Sequence, residues 1–161
     1  MCVYLVEKEN RFSVESILDK KLSFSNLLVC IVEDNPANME LMSEYLESLG
    51  IKNSFKFDTA LDCLNFLELS QKEIDLFLLD LSLPGMDGFK LLEHIKKLEM
   101  YASSVCIAVS DMVLPDQVQK IKDSMFCNHI KKPVCFDGFS AVSKVVLNKL
   151  ELQLKGGGAQ C

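Results

Sequence analysis

Five short, strongly apolar runs recur along this 161-residue chain, each followed by a stretch with helical spacing. That alternation constrains the fold more than any other feature. The runs are "LLVCIVE" (27–33), "IKNSFKF" (51–57), "IDLFLLD" (74–80), "SVCIAVS" (104–110) and "NHIKK" (128–132). Three of the five, the first, third and fourth, are apolar at nearly every position rather than at alternate ones, which marks strands buried on both faces. Strands separated by helices pair in parallel, and right-handed crossovers stack the helices on both sides of the sheet. The sequence therefore predicts an α/β fold, a doubly wound five-stranded parallel sheet with helices on both faces. The second run is weaker and more polar than the first and belongs at an edge.

The intervening stretches carry helix signals. Asn35 suits an N-cap, Pro36 the first helical position and Gly50 the stop. Leu41, Met42, Tyr45, Leu46 and Leu49 share one face of that helix. Residues 58–71 predict a second helix, with Leu61, Leu64 and Leu67 on its inner side. Asp87 caps a third, with Leu91, Leu92, Ile95 and Leu98 inward. Pro115 opens a fourth, carrying Val118, Ile121 and Met125. A last helix is expected from about residue 136 into the low 150s, with Phe139, Val142, Val146 and Leu150 inward. The domain is read as residues 27–153. Residues 1–26 form an N-terminal extension containing a short strand ("CVYLV") and an amphipathic helix ("VESILDKKL"). Residues 154–161, with their "GGG", read as a flexible tail.

Charge and composition then exclude whole classes. A formal net charge of −6 without a concentrated basic run is wrong for direct binding to nucleic acid or to an anionic membrane. No apolar run approaches the length of a membrane span, and the N-terminus lacks a secretory pattern, so a cytoplasmic protein is expected. The seven cysteines are odd in number and include no C-x-x-C pair, which reads as reduced thiols. His94 and His129, the two histidines, lie in no zinc-ligand spacing.

What the strands carry at their carboxyl ends is less ordinary. Ligands of open parallel sheets bind there. The first strand ends on Glu33 and Asp34, the third on Asp80, the fourth on Ser110 and the fifth on Lys132. Each residue alone has a plainer role open to it, as a helix-terminus acid, a loop cap or a solvated lysine. Five of them at one rim do not follow from core packing. Three clustered carboxylates repel one another, and a hard cation such as Mg²⁺ relieves that repulsion while leaving positions for phosphate oxygens. An aspartate held beside the ion can attack a phosphoryl group, with Ser110 and Lys132 each holding one of its oxygens. The Pro84–Gly85 turn after Asp80 lets a backbone carbonyl, that of Ser82, approach the ion.

Taken together, "VEDNPANMELM", "LLDLSLPGMDG", "IAVS" and "IKKPV" make the chain resemble the receiver domains of two-component response regulators over roughly residues 27–150. The resemblance implies a flavodoxin-like sheet of order 2-1-3-4-5. It implies Asp80 as phosphoacceptor, Asp34 as a direct Mg²⁺ ligand, Glu33 as the acid that holds the ion through water, and Ser82 as the backbone ligand. Ser110 and Lys132 match the hydroxyl and the lysine that meet the phosphoryl group. The phosphodonor would be a sensor histidine kinase or a histidine phosphotransfer protein, and output would pass through protein–protein contacts.

Two positions depart from that pattern. Asp111 stands where a small residue usually follows the hydroxyl, and His129 stands where the switch aromatic is usual. They motivate an alternative, a receiver-like interaction module that works without phosphorylation. An aspartate-nucleophile phosphatase of the haloacid dehalogenase type would need a second aspartate two residues after the first, where this chain has Ser82. The expectation is therefore a phosphoacceptor domain rather than an enzyme, with at most slow self-dephosphorylation. Only a short tail follows the last expected helix, so output is expected from a partner protein, a relay to another histidine or residues 1–26, unless the chain is part of a longer regulator.

Overall fold

The computed structural model describes residues 24–111, 114–135 and 138–139. Five strands, β1 (Leu28–Val32), β2 (Asn53–Phe57), β3 (Leu76–Asp80), β4 (Val105–Ser110) and β5 (Asn128–Lys131), form one sheet. Its order is β2-β1-β3-β4-β5 and every pairing is parallel. The helices between them are α1 (Pro36–Ser48), α2 (Ala60–Leu69), α3 (Gly88–Lys97) and α4 (Pro115–Lys122), with a 3₁₀ turn at Glu99–Tyr101. This is the flavodoxin-like architecture, with β2 at an edge as its polarity predicts.

Two cores lie on opposite faces of the sheet because alternate residues of each strand point opposite ways. On one face, Cys30, Val32, Phe77, Leu79, Cys106 and Ala108 pack under α2, α3 and Ile121 of α4. On the other, Val29, Ile31, Leu76, Leu78, Ile107 and Val109 meet Met42 and Leu46 of α1. Phe24, Leu27 and Phe139 join this second core. The central strands β3 and β4 are buried throughout. Burying both faces of so many apolar side chains contributes about 1.5–3 kcal/mol for each, which fixes the register and hence the rim.

Local chemistry sets the helix ends. The Asn35 side chain accepts from the amides of Ala37 and Asn38 at 2.9 and 3.2 Å, and the Asp87 side chain from that of Lys90 at 2.8 Å. Gly50 ends α1 with φ +91°. Two predicted faces need correction. In α2 the buried residues are Ala60, Cys63 and Leu67, while Leu61 is 63% exposed. Small side chains there bring the helix close to the sheet, so that Cys63 Sγ lies 3.7 Å from Cys30 Sγ. In the fourth helical segment Ile121 is buried, but α4 ends at Lys122 and Met125 is exposed; Phe126 is buried in its place.

Cys30, Cys63, Cys106 and Cys135 are free thiols as expected. Cys127 is the correction, since it is disulfide-bonded; it is half-buried just ahead of β5, where an odd cysteine number and the spacing do not reveal a pairing. The predicted strand and helix within residues 1–23, most of the last helix and the tail lie outside the described residues. Among the described residues, no helix is long and apolar enough to cross a membrane.

Candidate functional site

The sheet delivers the candidate side chains by stopping. Asp80 and Ser110 are the last residues of β3 and β4, and Glu33 and Lys132 are the first residues past β1 and β5. The strands are parallel, so all four arrive at one edge. Glu33, Asp80, Ser110 and Lys132 are each no more than 5% exposed. Burying four polar groups is costly unless they satisfy one another, and they do so largely through Lys132. Its Nζ lies 2.9 Å from Asp80 Oδ2, 3.1 Å from Glu33 Oε1 and 2.8 Å from Glu33 Oε2. The other Asp80 oxygen, Oδ1, accepts from the Ser82 amide at 2.9 Å.

Glu33 is held from its own helix as well. Oε1 accepts from the Asn35 amide at 3.2 Å and from the Asn38 side chain at 3.3 Å. Oε2 is ion-paired with the same Lys132 ammonium at 2.8 Å but makes no hydrogen bond. Burial pushes the Glu33 carboxyl upward; the hydrogen bond from Lys132 opposes this, and the nearby Asp80 adds to it. For Lys132, burial acts to lower the ammonium's pKa, but the hydrogen bonds to Glu33 and Asp80 outweigh it and the net shift is upward. The lysine is a fixed positive charge.

Asp34 completes the group. Its carboxylate is exposed, and carboxylate oxygens of Glu33, Asp34 and Asp80 lie within 4.8 Å of one another. An all-oxygen set of three acids, with one buried oxygen lacking a hydrogen-bond donor, fits a hard divalent cation such as Mg²⁺. Soft or imidazole-seeking metals would find none of their ligands here.

The expected residues are thus brought together with one exception. His129 is half-buried on β5 opposite Ala108, three residues before Lys132. Two further features, Asp58 and the packing of Gly88, escaped the sequence reading, which had already singled out Asp111. Asp58 follows β2 and Asp111 follows β4, both exposed, so two more carboxylates stand on the same edge. Gly88, the first residue of α3, abuts the backbone of Asp80: a Cβ there would overlap the Asp80 carbonyl oxygen and lie 3.0 Å from Leu81 Cα. Its amide donates to Leu81 O at 3.3 Å. The signal was present in "PGMDG", but the second glycine reads equally well as part of a turn.

Comparison with known proteins agrees with this geometry. Among solved structures, the chain is similar to a response regulator receiver protein from Pseudomonas putida, with 28% identity and a TM-score of 0.63 over 76% of this chain and 96% of that one. It also shares its fold with the receiver domain of a sensor histidine kinase from Pseudomonas aeruginosa PAO1, with 20% identity and a TM-score of 0.66 over 76% and 98% of the two chains. That protein is described with a magnesium ion coordinated in its active-site cleft. Among curated proteins, it is 33% identical over 134 residues to the peroxide stress-activated histidine kinase mak1 of Schizosaccharomyces pombe, covering 79% of this chain and 8% of that protein. It is 30% identical over 138 residues to the sensor histidine kinase RcsC of Escherichia coli K12, covering 84% and 14%. The chain therefore spans only a small part of these relatives' length. Residues 29–142 match the response regulator receiver domain family, and with the parallel sheet and its acidic edge already described, the chain belongs to that family.

Proposed function

We propose that this chain accepts a phosphoryl group on Asp80 from a phosphohistidine, borne by a sensor histidine kinase or a histidine phosphotransfer protein, in a Mg²⁺-dependent phosphorelay. The observation that carries the reading is Lys132 Nζ lying 2.9 Å from Asp80 Oδ2 in a buried cluster of acids. A lysine buried only to hold the fold together would need one carboxylate, and two buried acids around it are a costly way to build a core.

An Asp80 oxygen bonds to phosphorus as the N–P bond of the phosphohistidine breaks, and the imidazole leaves with the electron pair. Positioning and neutralisation of charge supply most of the acceleration of such a transfer. The Ser82 amide, 2.9 Å from Oδ1, fixes the orientation of the nucleophile. Lys132 offsets the charge of the incoming phosphoryl oxygens, and the Ser110 hydroxyl, on the neighbouring strand end, meets another. Glu33, Asp34, Asp80 and the Ser82 carbonyl would hold Mg²⁺, which would supply positive charge to neutralise the transferring phosphoryl group. Ser82 in place of an acid two residues after Asp80 supports slow hydrolysis rather than turnover. We place the chain in the cytoplasm, acting through a protein partner. The response travels from Ser110 toward His129 on β5.

Mass spectrometry of the intact protein after incubation with Mg²⁺ and acetyl phosphate or phosphoramidate tests this. One phosphoryl group should appear, and should disappear in Asp80→Asn and in EDTA. Unchanged incorporation in Asp80→Asn would refute the proposal.

A further inference from the structure

The edge that holds the site carries more negative charge than phosphoryl transfer requires. Glu33, Asp34, Asp58, Asp80 and Asp111 all follow or end strands on this edge, against the buried Lys132. Asp111 stands out among them. It follows directly on Ser110, is exposed, and makes no ion pair among the described residues. Lys131, opposite Ser110 in the ladder, is also exposed and does not pair with it. The ladder pairs Asp80 with Val109, so Asp111 lies two residues beyond that partner. Strand rise and spacing then put its Cα about 8 Å from that of Asp80.

We propose that Asp111 is a specificity residue which disfavours small dianionic phosphodonors, leaving the site to donors whose own surface supplies positive charge. This rests on the receiver reading above. Taking the charges to be separated by about the same distance as the Cα atoms, the Asp111 carboxylate is close enough to repel the anion that delivers the phosphoryl group. Water separates them, so the effect is modest. It amounts to about 2-fold for a donor of one negative charge and about 4-fold for a dianion at low salt, shrinking near 0.15 M where the Debye length equals the separation. Such a donor reacts as acetyl phosphate does: Asp80 oxygen bonds to phosphorus, the P–O bond breaks, and acetate leaves with the electron pair.

Two small donors of unlike charge separate charge from shape. Acetyl phosphate is close to a dianion at neutral pH and phosphoramidate is close to a monoanion. Initial rates of Asp80 phosphorylation are measured for the wild type and Asp111→Asn, an isosteric change at an exposed position, with saturating Mg²⁺ at low and at moderate salt. Melting temperatures of both proteins verify that the fold is unchanged. The expected result is a rise of about 4-fold with acetyl phosphate, about 2-fold with phosphoramidate, and a loss of that difference as salt increases. Equal effects on both donors, or no effect on either, would overturn the assignment while leaving the receiver chemistry intact. Absence of phosphorylation at Asp80 from both donors in both proteins would instead remove the receiver reading itself, and the inference with it.

Discussion

Gly88→Ala probes the site through the backbone rather than through a reactive side chain. An alanine Cβ would lie 3.0 Å from both the Asp80 carbonyl carbon and Leu81 Cα, and would overlap the Asp80 carbonyl oxygen. All three atoms belong to the main chain at the end of β3, so no rotamer change relieves the overlap. Helix α3 must move away from the sheet by a good fraction of an ångström. Overpacking of this kind costs about 1–3 kcal/mol. The loss of unfolded-state freedom on replacing glycine returns about 0.4–1 kcal/mol. The net destabilisation is about 1–2 kcal/mol, or roughly 2–8 °C in melting temperature for a chain of this size. The movement also drags the Asp80 carboxylate, whose two 2.9 Å contacts to Lys132 and the Ser82 amide orient it. Misplacement on that scale should slow phosphorylation by about 10-fold or more.

Gly85→Ala is the matched control. Gly85 has φ +79° and nothing within 4 Å of a built Cβ. It should lose about 1 kcal/mol through backbone strain alone and keep its phosphorylation rate. Circular dichroism melts and initial rates from intact mass read both quantities. If Gly88→Ala melted within about 1 °C of wild type and reacted at the same rate, close packing of α3 on Asp80 would not govern the site.

Other expectations follow from the buried charges and thiols. Lys132→Met leaves Glu33 and Asp80 facing each other without a cation, and should destabilise the chain by about 3 kcal/mol in EDTA. Mg²⁺ should restore much of that loss, and a chemical denaturation series at rising Mg²⁺ measures it. Burial raises the Glu33 carboxyl above its ordinary range, so the folded state holds this proton more tightly than the unfolded chain. Its contribution to stability is therefore complete below the unfolded value and is lost as pH rises through the folded one. Without Mg²⁺, urea midpoints between about pH 4 and pH 7 should fall less steeply in Glu33→Gln than in wild type. Burial, with Cys63 beside it, raises the Cys30 thiol well above the usual range. In the native state a disulfide reagent near pH 8 should label Cys135 readily and leave Cys30, Cys63 and Cys106 untouched until the chain unfolds.

The sheet was legible in the sequence because its central strands are apolar at nearly every position, a pattern that helices and half-exposed strands do not share. Asp80, Ser110 and Lys132 were legible because each interrupts or ends such a run. The inward face of α2 was not. Ala60 and Cys63 are small, and Leu61 draws the eye to the wrong side although it is mostly exposed. Met125 misled in the same way, because the helical spacing continued past Lys122 while the helix did not. Gly88 needed the third dimension, since its neighbour is a carbonyl eight residues earlier. Asp111 was already conspicuous in the sequence beside Ser110, whereas Asp58 came to the same edge only when the ladder registers aligned the strand ends.

The central claim is a covalent bond to one particular oxygen-bearing side chain. Borohydride reduces an aspartyl phosphate to homoserine and leaves phosphoserine intact, so reduction followed by peptide sequencing in the mass spectrometer locates the bond. After reaction with a phosphodonor and Mg²⁺, the account predicts homoserine at position 80 and at no other aspartate. Homoserine at position 34 or 58 instead, or phosphate that resists reduction and maps to Ser82 or Ser110, would contradict it.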